Sequence, residues 1–436
     1  MVVGVGGWRK RIQARQAQQP DGRMTGGRLT GLDGVRGLAV LLVVLSHNQV
    51  PLFGPGGIEG VTTFFTLSGF LITGLLLKEF RVTGRIDLLA FWGRRALRLL
   101  PALFTFVGLV SVVFWATGWG TRASVVAWVK PVLLYYSNFQ TIHGRSLGPF
   151  RHTWSLAVEE QFYLVWPLLL LPLLVLLRGR RRARSWLLWG MSLLTVVSLY
   201  WRLRVGLSGP EGFWVRLAPH TTVFSMTAGA CLAVVYERTW RPGRWAPAVA
   251  FLGLTAYFWL PVLAPRYAGW IWGPLIYTGI ALVLLLSTTG TRRTVFNWRP
   301  LRSLGTVSYG WYLWHYPFMS VATHLFTGSA LTVALWSGMV LSLLVAAGSW
   351  RYLERPLQRR FRARLERVRL SSAPRADAPA VSPSARTDAV EEDLLDTAAG
   401  AVAAPGAAPE LPVREADRVI DLTAADLDRE APVTGA

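Results

Sequence analysis

Apolar stretches of membrane length recur along this chain, and they constrain its fold more than any other feature. Runs near 35–52, 60–77, 99–118, 155–177, 185–204, 213–236, 246–263, 269–288, 306–326 and 331–352 each hold eighteen or more residues with few charges. Such a stretch crosses the hydrocarbon core of a bilayer as an α-helix, because in lipid a lone segment must satisfy its own backbone hydrogen bonds. The predicted fold is therefore all-α and polytopic, with about ten transmembrane helices. Composition agrees: of 436 residues, 52% are hydrophobic, 21 are Trp and only 16% are charged.

Charge sets the expected topology. The formal net charge of +22 invites a nucleic-acid reading, but Lys and Arg fall in short clusters between apolar runs, as topology signals do, so no nucleic acid is expected as a partner. With the basic arm at 1–28 inside, alternation puts KEFRVTGRIDLLAFWGRRALR, RGRRRAR, ERTWRPGR, TTGTRRTVFNWRPLR and ERPLQRRFRARLER in the cytoplasm, with both termini. Arg202 and Arg204 fall outside in this scheme, a small violation. Counting 124–142 as a full crossing would move RGRRRAR to the wrong face, so that segment is expected to be re-entrant or interfacial. Residues 1–28 carry no cleavage pattern and read as a disordered arm rather than a removable signal. Residues 371–436 hold 13 Asp and Glu against 5 Arg among Ala and Pro, which reads as a disordered acidic tail. A single cysteine, Cys231, excludes an internal disulfide, and no His, Asp or Glu set has metal-ligand spacing, so no metal is expected.

Polar residues within the apolar runs locate the chemistry. Arg36 and His47 lie eleven residues apart in GLDGVRGLAVLLVVLSHNQV, which on a helix is three turns plus about 20° and a rise of about 16 Å. They share a face, with a cation at one membrane surface and an imidazole deep in the span, and an intramembrane ionisable group is a functional candidate by default. Glu159 and Glu160 open the fourth run in HTWSLAVEEQFYLVWP, from the outer side; a carboxylate beside His47 would orient its ring, whereas an interfacial carboxylate would simply be solvated. Arg95 and Arg98 are neighbours on one helix face where the third run begins, and with Arg36 they would suit phosphates, which the guanidinium fork binds bidentately. Ordinary positive-inside flanking predicts basic residues there as well. In SYGWYLWHYPF, Tyr309, Tyr312 and His315 fall at three-residue spacing, either lining a path or packing between helices. His152 and His220 lie near span edges and are expected to be hydrated.

The order of motifs LDGVRGLAVLLVVLSH, FFTLSGFLI, FWGRRALRLLPA, HTWSLAVEEQFYLVWP, SYGWYLWHYP and YLERP, spread over residues 31–356, resembles the membrane acyltransferase-3 family, which O-acylates polysaccharides, glycolipids and some antibiotics. The resemblance implies a transmembrane acyltransferase domain over 29–360. By the same resemblance, Arg36 and His47 match its basic-to-histidine motif and Arg95 and Arg98 its arginine pair, giving donor-binding and catalytic elements. Trp154, Ser155, Leu156 and Glu159 match its Trp-Ser-Leu motif with a downstream Glu, and Ser68, Tyr309 and His315 fall in further family motifs, as do Arg355 and Pro356 at the close of the last span. Two departures stand out. Thr62 occupies the place where many members have an aspartate, with Glu59 nearby. No Gly-Asp-Ser motif follows the last run, so a stand-alone membrane domain is expected.

The resemblance implies an enzyme of the bacterial plasma membrane that takes an acyl group, acetyl in the first instance, from cytoplasmic acyl-CoA. Its acceptor would be a hydroxyl of a cell-surface glycan, glycolipid or secondary metabolite, with membrane lipid as surroundings. Arg36, Arg95 and Arg98 would hold the donor phosphates, and His47, oriented by Glu159, would act as base or brief acyl carrier. The alternative from another class is a transporter or flippase for a lipid-linked sugar or exported metabolite, for which ten spans and buried polar groups are equally expected. It lacks support from paired halves, since no second copy of the Arg-to-His spacing occurs.

Overall fold

The computed structural model describes residues 30–50, 57–207, 217–236, 245, 248–253, 255, 272–288 and 294–361, and every regular element among them is helical. In chain order these are α1 (Thr30–His47), α2 (Ile58–Thr83), α3 (Leu88–Ala116), α4 (Arg122–Leu133), α5 (Ser137–Ile142), α6 (Trp154–Leu176), α7 (Ala183–Leu207), α8 (Pro219–Tyr236), α9 (Gly273–Thr288), α10 (Arg299–Leu325) and α11 (Gly328–Ser349). Short 3-10 turns precede α6 (Gly148–Thr153) and α10 (Val295–Asn297), and a π-turn (Trp350–Glu354) follows α11. Among the described residues, five helical stretches are long and apolar enough to cross a membrane: Ile58–Thr83, Leu88–Ala116, Gly148–Leu176, Ala183–Gly206 and Gly328–Phe361. The expected spans at 35–52, 213–236, 269–288 and 306–326 coincide with α1, α8, α9 and α10, which are shorter or less apolar. The run at 246–263 lies largely outside the described residues, as do the basic arm and the acidic tail, so the count of ten is not reached here.

Helices in lipid gain little from apolar contact alone, so their backbones must approach closely, and small residues permit that. The crossing of α1 and α10 shows it. A Cβ on Gly37 would sit 1.9 Å from the Leu301 carbonyl oxygen, and one on Gly305 would sit 1.7 Å from that of Asp33. On α2 and α8, Gly69 and Gly229 meet the Met226 and Thr66 carbonyls in the same way, at 1.8 and 2.0 Å. Polar side chains add bonds between helices: Trp166 Nε1 donates to Thr73 Oγ1 at 2.9 Å and Trp311 Nε1 to Ser342 Oγ at 3.1 Å. Helices α1 and α2 are enclosed by these neighbours, while α3, α6, α7 and α11 turn Leu109, Leu168, Trp189 and Val340 outward, the pattern of a bundle solvated by lipid.

The third helix begins earlier than the apolar run suggests. Asp87 caps it by accepting from Ala90 N at 2.9 Å, so α3 starts at Leu88 and Arg95 and Arg98 stand in its second and third turns rather than at its first residues. After α3 the chain folds back as two short helices, α4 of 12 residues and α5 of six, neither long enough to span. Between them Tyr135 adopts a left-handed φ of 52°, uncommon for a non-glycine residue. Gln161 Nε2 steadies this turn by donating to the Tyr135 carbonyl at 2.7 Å and to Asn138 Oδ1 at 3.0 Å. The following 3-10 turn buries Phe150 and His152 against Phe106, in the middle of α3, with ring centroids 5.5 and 5.9 Å apart. Helix α6 therefore starts inside the bundle, not at its edge.

Candidate acyl-transfer site

The interior start of α6 decides which residues meet. Trp92 Nε1 of α3 donates to the Tyr163 carbonyl at 3.1 Å, and Arg95 Nη2 lies 3.5 Å from Glu160 Oε1, so the first turns of α6 stand level with the arginines. Arg36, Arg95 and Arg98 converge on one cavity with Ser68, Ser155, Glu159, Tyr163, Ser308, Tyr309 and Tyr312. Its volume is about 80 Å³. A single water needs roughly 10–15 Å³ of such space, so a slender chain fits where a nucleotide does not. Arg98 is exposed, at a position from which it can meet the bulkier part of a ligand; Arg36 and Arg95 are half-buried.

Two hydrogen-bond sets hold the cavity walls. On one side Ser68 Oγ donates to Glu159 Oε1, and the Tyr163 hydroxyl lies 2.7 Å from the same oxygen and 2.5 Å from Ser68 Oγ. The ring of Tyr163 is covered by the Arg95 guanidinium, 3.0 Å from its centroid, a cation–π contact that fixes the fork above it. On the other side the Tyr312 hydroxyl donates to the His152 carbonyl at 2.6 Å and so accepts from Ser155 Oγ. Tyr309 donates to the Leu99 carbonyl at 3.2 Å, so this side chain both packs and lines the cavity.

His47 and His315 are not in that cavity wall. Helix α1 runs unbroken from Arg36 to His47, about 16 Å along its axis. At that end His47 Nδ1 lies 3.1 Å from His315 Nε2 of α10. His152 completes a cluster, its ring centroid 5.3 Å from that of His315, and Tyr316 stacks on His152 and meets His47 edge-on. Tyr312 belongs to both regions, since it lines the cavity and packs 5.6 Å from His315.

Several expectations change here. Glu159 stands with the arginines, bonded to Ser68 and Tyr163, and the group 3.1 Å from His47 Nδ1 is the His315 imidazole, because the chain folds back through α4 and α5 and brings the first turns of α6 level with Arg95. Glu160 is half-buried and paired with Arg95 rather than solvated. His152, expected to be hydrated, is 2% exposed under the 3-10 turn. Trp154 packs edge-on against Phe65 and lines a separate small pocket beside Arg202. Arg202 itself is buried at 1% exposure, donating to the Thr221 carbonyl at 3.1 Å, so it does not count as a loop charge. The sequence reading also passed over Tyr163, four residues after Glu159 and hence on its face, and Glu354, buried in the π-turn and accepting from Ser349 Oγ at 3.1 Å. Thr62 is buried and lines the small pocket beside Arg202 rather than the arginine cavity, and Glu59 is buried near it in the first turn of α2. Among the described residues no group of three or more His, Cys, Asp or Glu is arranged to hold a metal ion.

The structure is thus a helical bundle with an arginine-lined cavity beside one end of α1 and a histidine cluster at the other. A family profile described as an acyltransferase domain, that of the acyltransferase-3 family, matches residues 29–351, and the chain belongs to that family, among acyltransferases that move groups other than amino-acyl groups. Over 357 residues it is 28% identical to a Listeria monocytogenes protein named peptidoglycan O-acetyltransferase OatA, an overlap of 75% of this chain and 55% of the relative. The Bacillus subtilis protein YrhL is 29% identical over 354 residues, 76% of this chain and 55% of the relative. A Staphylococcus aureus protein named O-acetyltransferase OatA is 26% identical over 369 residues, with 76% and 57% covered. The chain spans somewhat over half the length of these relatives. No solved structure matches it.

Proposed function

We propose that this protein moves an acetyl group from acetyl-CoA, bound from the cytoplasm, to a hydroxyl of a cell-surface glycan, with peptidoglycan the first candidate because the Listeria and Bacillus relatives carry it in their names. The observation that carries the reading is the convergence of Arg36, Arg95 and Arg98 on one cavity at the foot of the helix that ends in His47. The guanidinium forks would bind the donor's phosphates at the mouth near Arg98, and only the thin pantetheine arm would enter. The distance of about 16 Å from Arg36 to His47 suits that arm, because it separates a phosphate anchor from a thioester.

His47 then acts as general base. As the acceptor oxygen attacks the thioester carbonyl, its proton passes to His47; the C–O bond forms, the C–S bond breaks, and the departing thiolate takes the proton from His47. No net proton is gained or lost. Glu159, with Ser68, would hold Tyr163, and through its ring Arg95, in place rather than orient His47. Purified protein in nanodiscs, given radiolabelled acetyl-CoA and soluble glycan fragments, tests this. His47→Ala should abolish transfer while binding acetyl-CoA normally, and Arg95→Ala with Arg98→Ala should weaken that binding by tenfold or more. A transporter would neither bind acetyl-CoA specifically nor release free CoA.

A further inference from the structure

His315 is 3% exposed, and its two ring nitrogens face different partners. Its Nδ1 lies 3.2 Å from the Trp311 carbonyl oxygen, one turn earlier on α10, and its Nε2 lies 3.1 Å from His47 Nδ1. A carbonyl oxygen offers only lone pairs, so the proton in the first contact is on His315 Nδ1. A neutral imidazole has one such proton, so His315 Nε2 accepts. His47 must then donate from Nδ1, and its lone pair resides on Nε2.

We propose that His315 is the positioning residue of the reaction: by accepting from His47 Nδ1 it fixes the tautomer in which Nε2 of His47 is the basic nitrogen. The inference rests on the reading of His47 as the base. Which ring nitrogen of a histidine is protonated is set by the hydrogen bond the other one makes, and in hydrolase triads a buried carboxylate makes that bond. Here the carboxylate of Glu159 is occupied by Ser68 and Tyr163, and an imidazole anchored on backbone takes its place. Such an anchor carries no fixed charge, which suits a site surrounded by lipid, where an unpaired buried carboxylate is costly. Its position is stiffly held. Tyr312 and Tyr316 pack against the His315 ring, and Tyr316 also meets His47 edge-on at 5.4 Å. When His47 takes the acceptor's proton on Nε2, its Nδ1–H keeps the bond to His315, so the ring does not turn before it hands the proton to the thiolate.

The test uses ¹⁵N-histidine-labelled protein in nanodiscs, in which the chain's six histidines give separable ring-nitrogen signals and His47 is assigned by comparison with His47→Gln. The native protein should show His47 protonated at Nδ1 and not at Nε2. His315→Gln, whose amide oxygen can still accept, should keep that pattern and much of the activity. His315→Ala should mix the tautomers and lower kcat by about 10²-fold or more, with KM for acetyl-CoA little changed. Protonation of His47 at Nε2 in the native protein, or an unchanged tautomer and kcat in His315→Ala, would overturn the proposal. If His47→Ala retained transfer, the base assignment would fail and this inference with it; an inactive His47→Ala beside an unchanged tautomer and kcat in His315→Ala would overturn this inference alone.

Discussion

Arg95 lies with its guanidinium carbon 3.0 Å from the centroid of the Tyr163 ring and one nitrogen 3.5 Å from Glu160, so a single aromatic side chain positions this cation of the cavity. The tyrosine contributes a ring under Arg95 and a hydroxyl toward Glu159, and the two can be separated. Tyr163→Phe should keep acetyl-CoA affinity within about threefold, because the cation–π contact survives. Tyr163→Leu should weaken it about tenfold, since a desolvated contact of this kind contributes up to about 2 kcal/mol and 1.4 kcal/mol is a factor of ten. Isothermal titration of both variants measures the difference. At this scale the residues themselves were legible, Arg36 from its place in an apolar run and Arg95, Arg98 and Glu159 from their spacing and the family resemblance, and all four line one cavity. The pairing was not. Glu159 faces Ser68 and Tyr163, and His47 faces His315, because the depth of a side chain depends on where its helix begins, which hydropathy does not specify.

The crossing of α1 and α10 brings His47 to His315, and it depends on glycines that let the two backbones approach. Gly305 is the tightest, with space for a Cβ only 1.7 Å from the Asp33 carbonyl oxygen. Backbone cannot step aside as a flexible side chain can, so Gly305→Val should separate the helices and cost about 1–3 kcal/mol or more, the range typical of overpacking. A Cβ on Gly108 of α3 would meet nothing within 4 Å, so Gly108→Val should be neutral. Thermal denaturation in detergent should show a clear fall in Tm for the first and none for the second. Helix existence was readable at this scale, since each long apolar run in the described residues lies on a helix. Helix starts were less so: α3 begins eleven residues before its apolar run, because the cap at Asp87 and not hydrophobicity sets its first turn.

For the whole molecule, the two ends of α1 would face opposite sides of the membrane, the arginine cavity toward the donor and the histidine cluster toward the acceptor. Charge bias then predicts that a reporter active only in the cytoplasm works when joined after Phe361, and that one active only outside works when placed at Gly118, in the turn after α3. Activity in the reverse places would invert the proposed direction of transfer. The sequence by itself determined that this is a helical membrane protein with costly polar residues in a recognisable order, because burial in lipid leaves a local signature of length, apolarity and charge bias. Only the tertiary structure decided that α6 begins inside the bundle, that Glu159 belongs with the arginines, that Arg202 and His152 are buried, and that His47 is held by His315. Those facts arise from contacts between residues far apart in the chain, 268 apart for the two histidines, and such contacts depend on how close backbones pack and where the short helices α4 and α5 leave the start of α6, which no local pattern encodes.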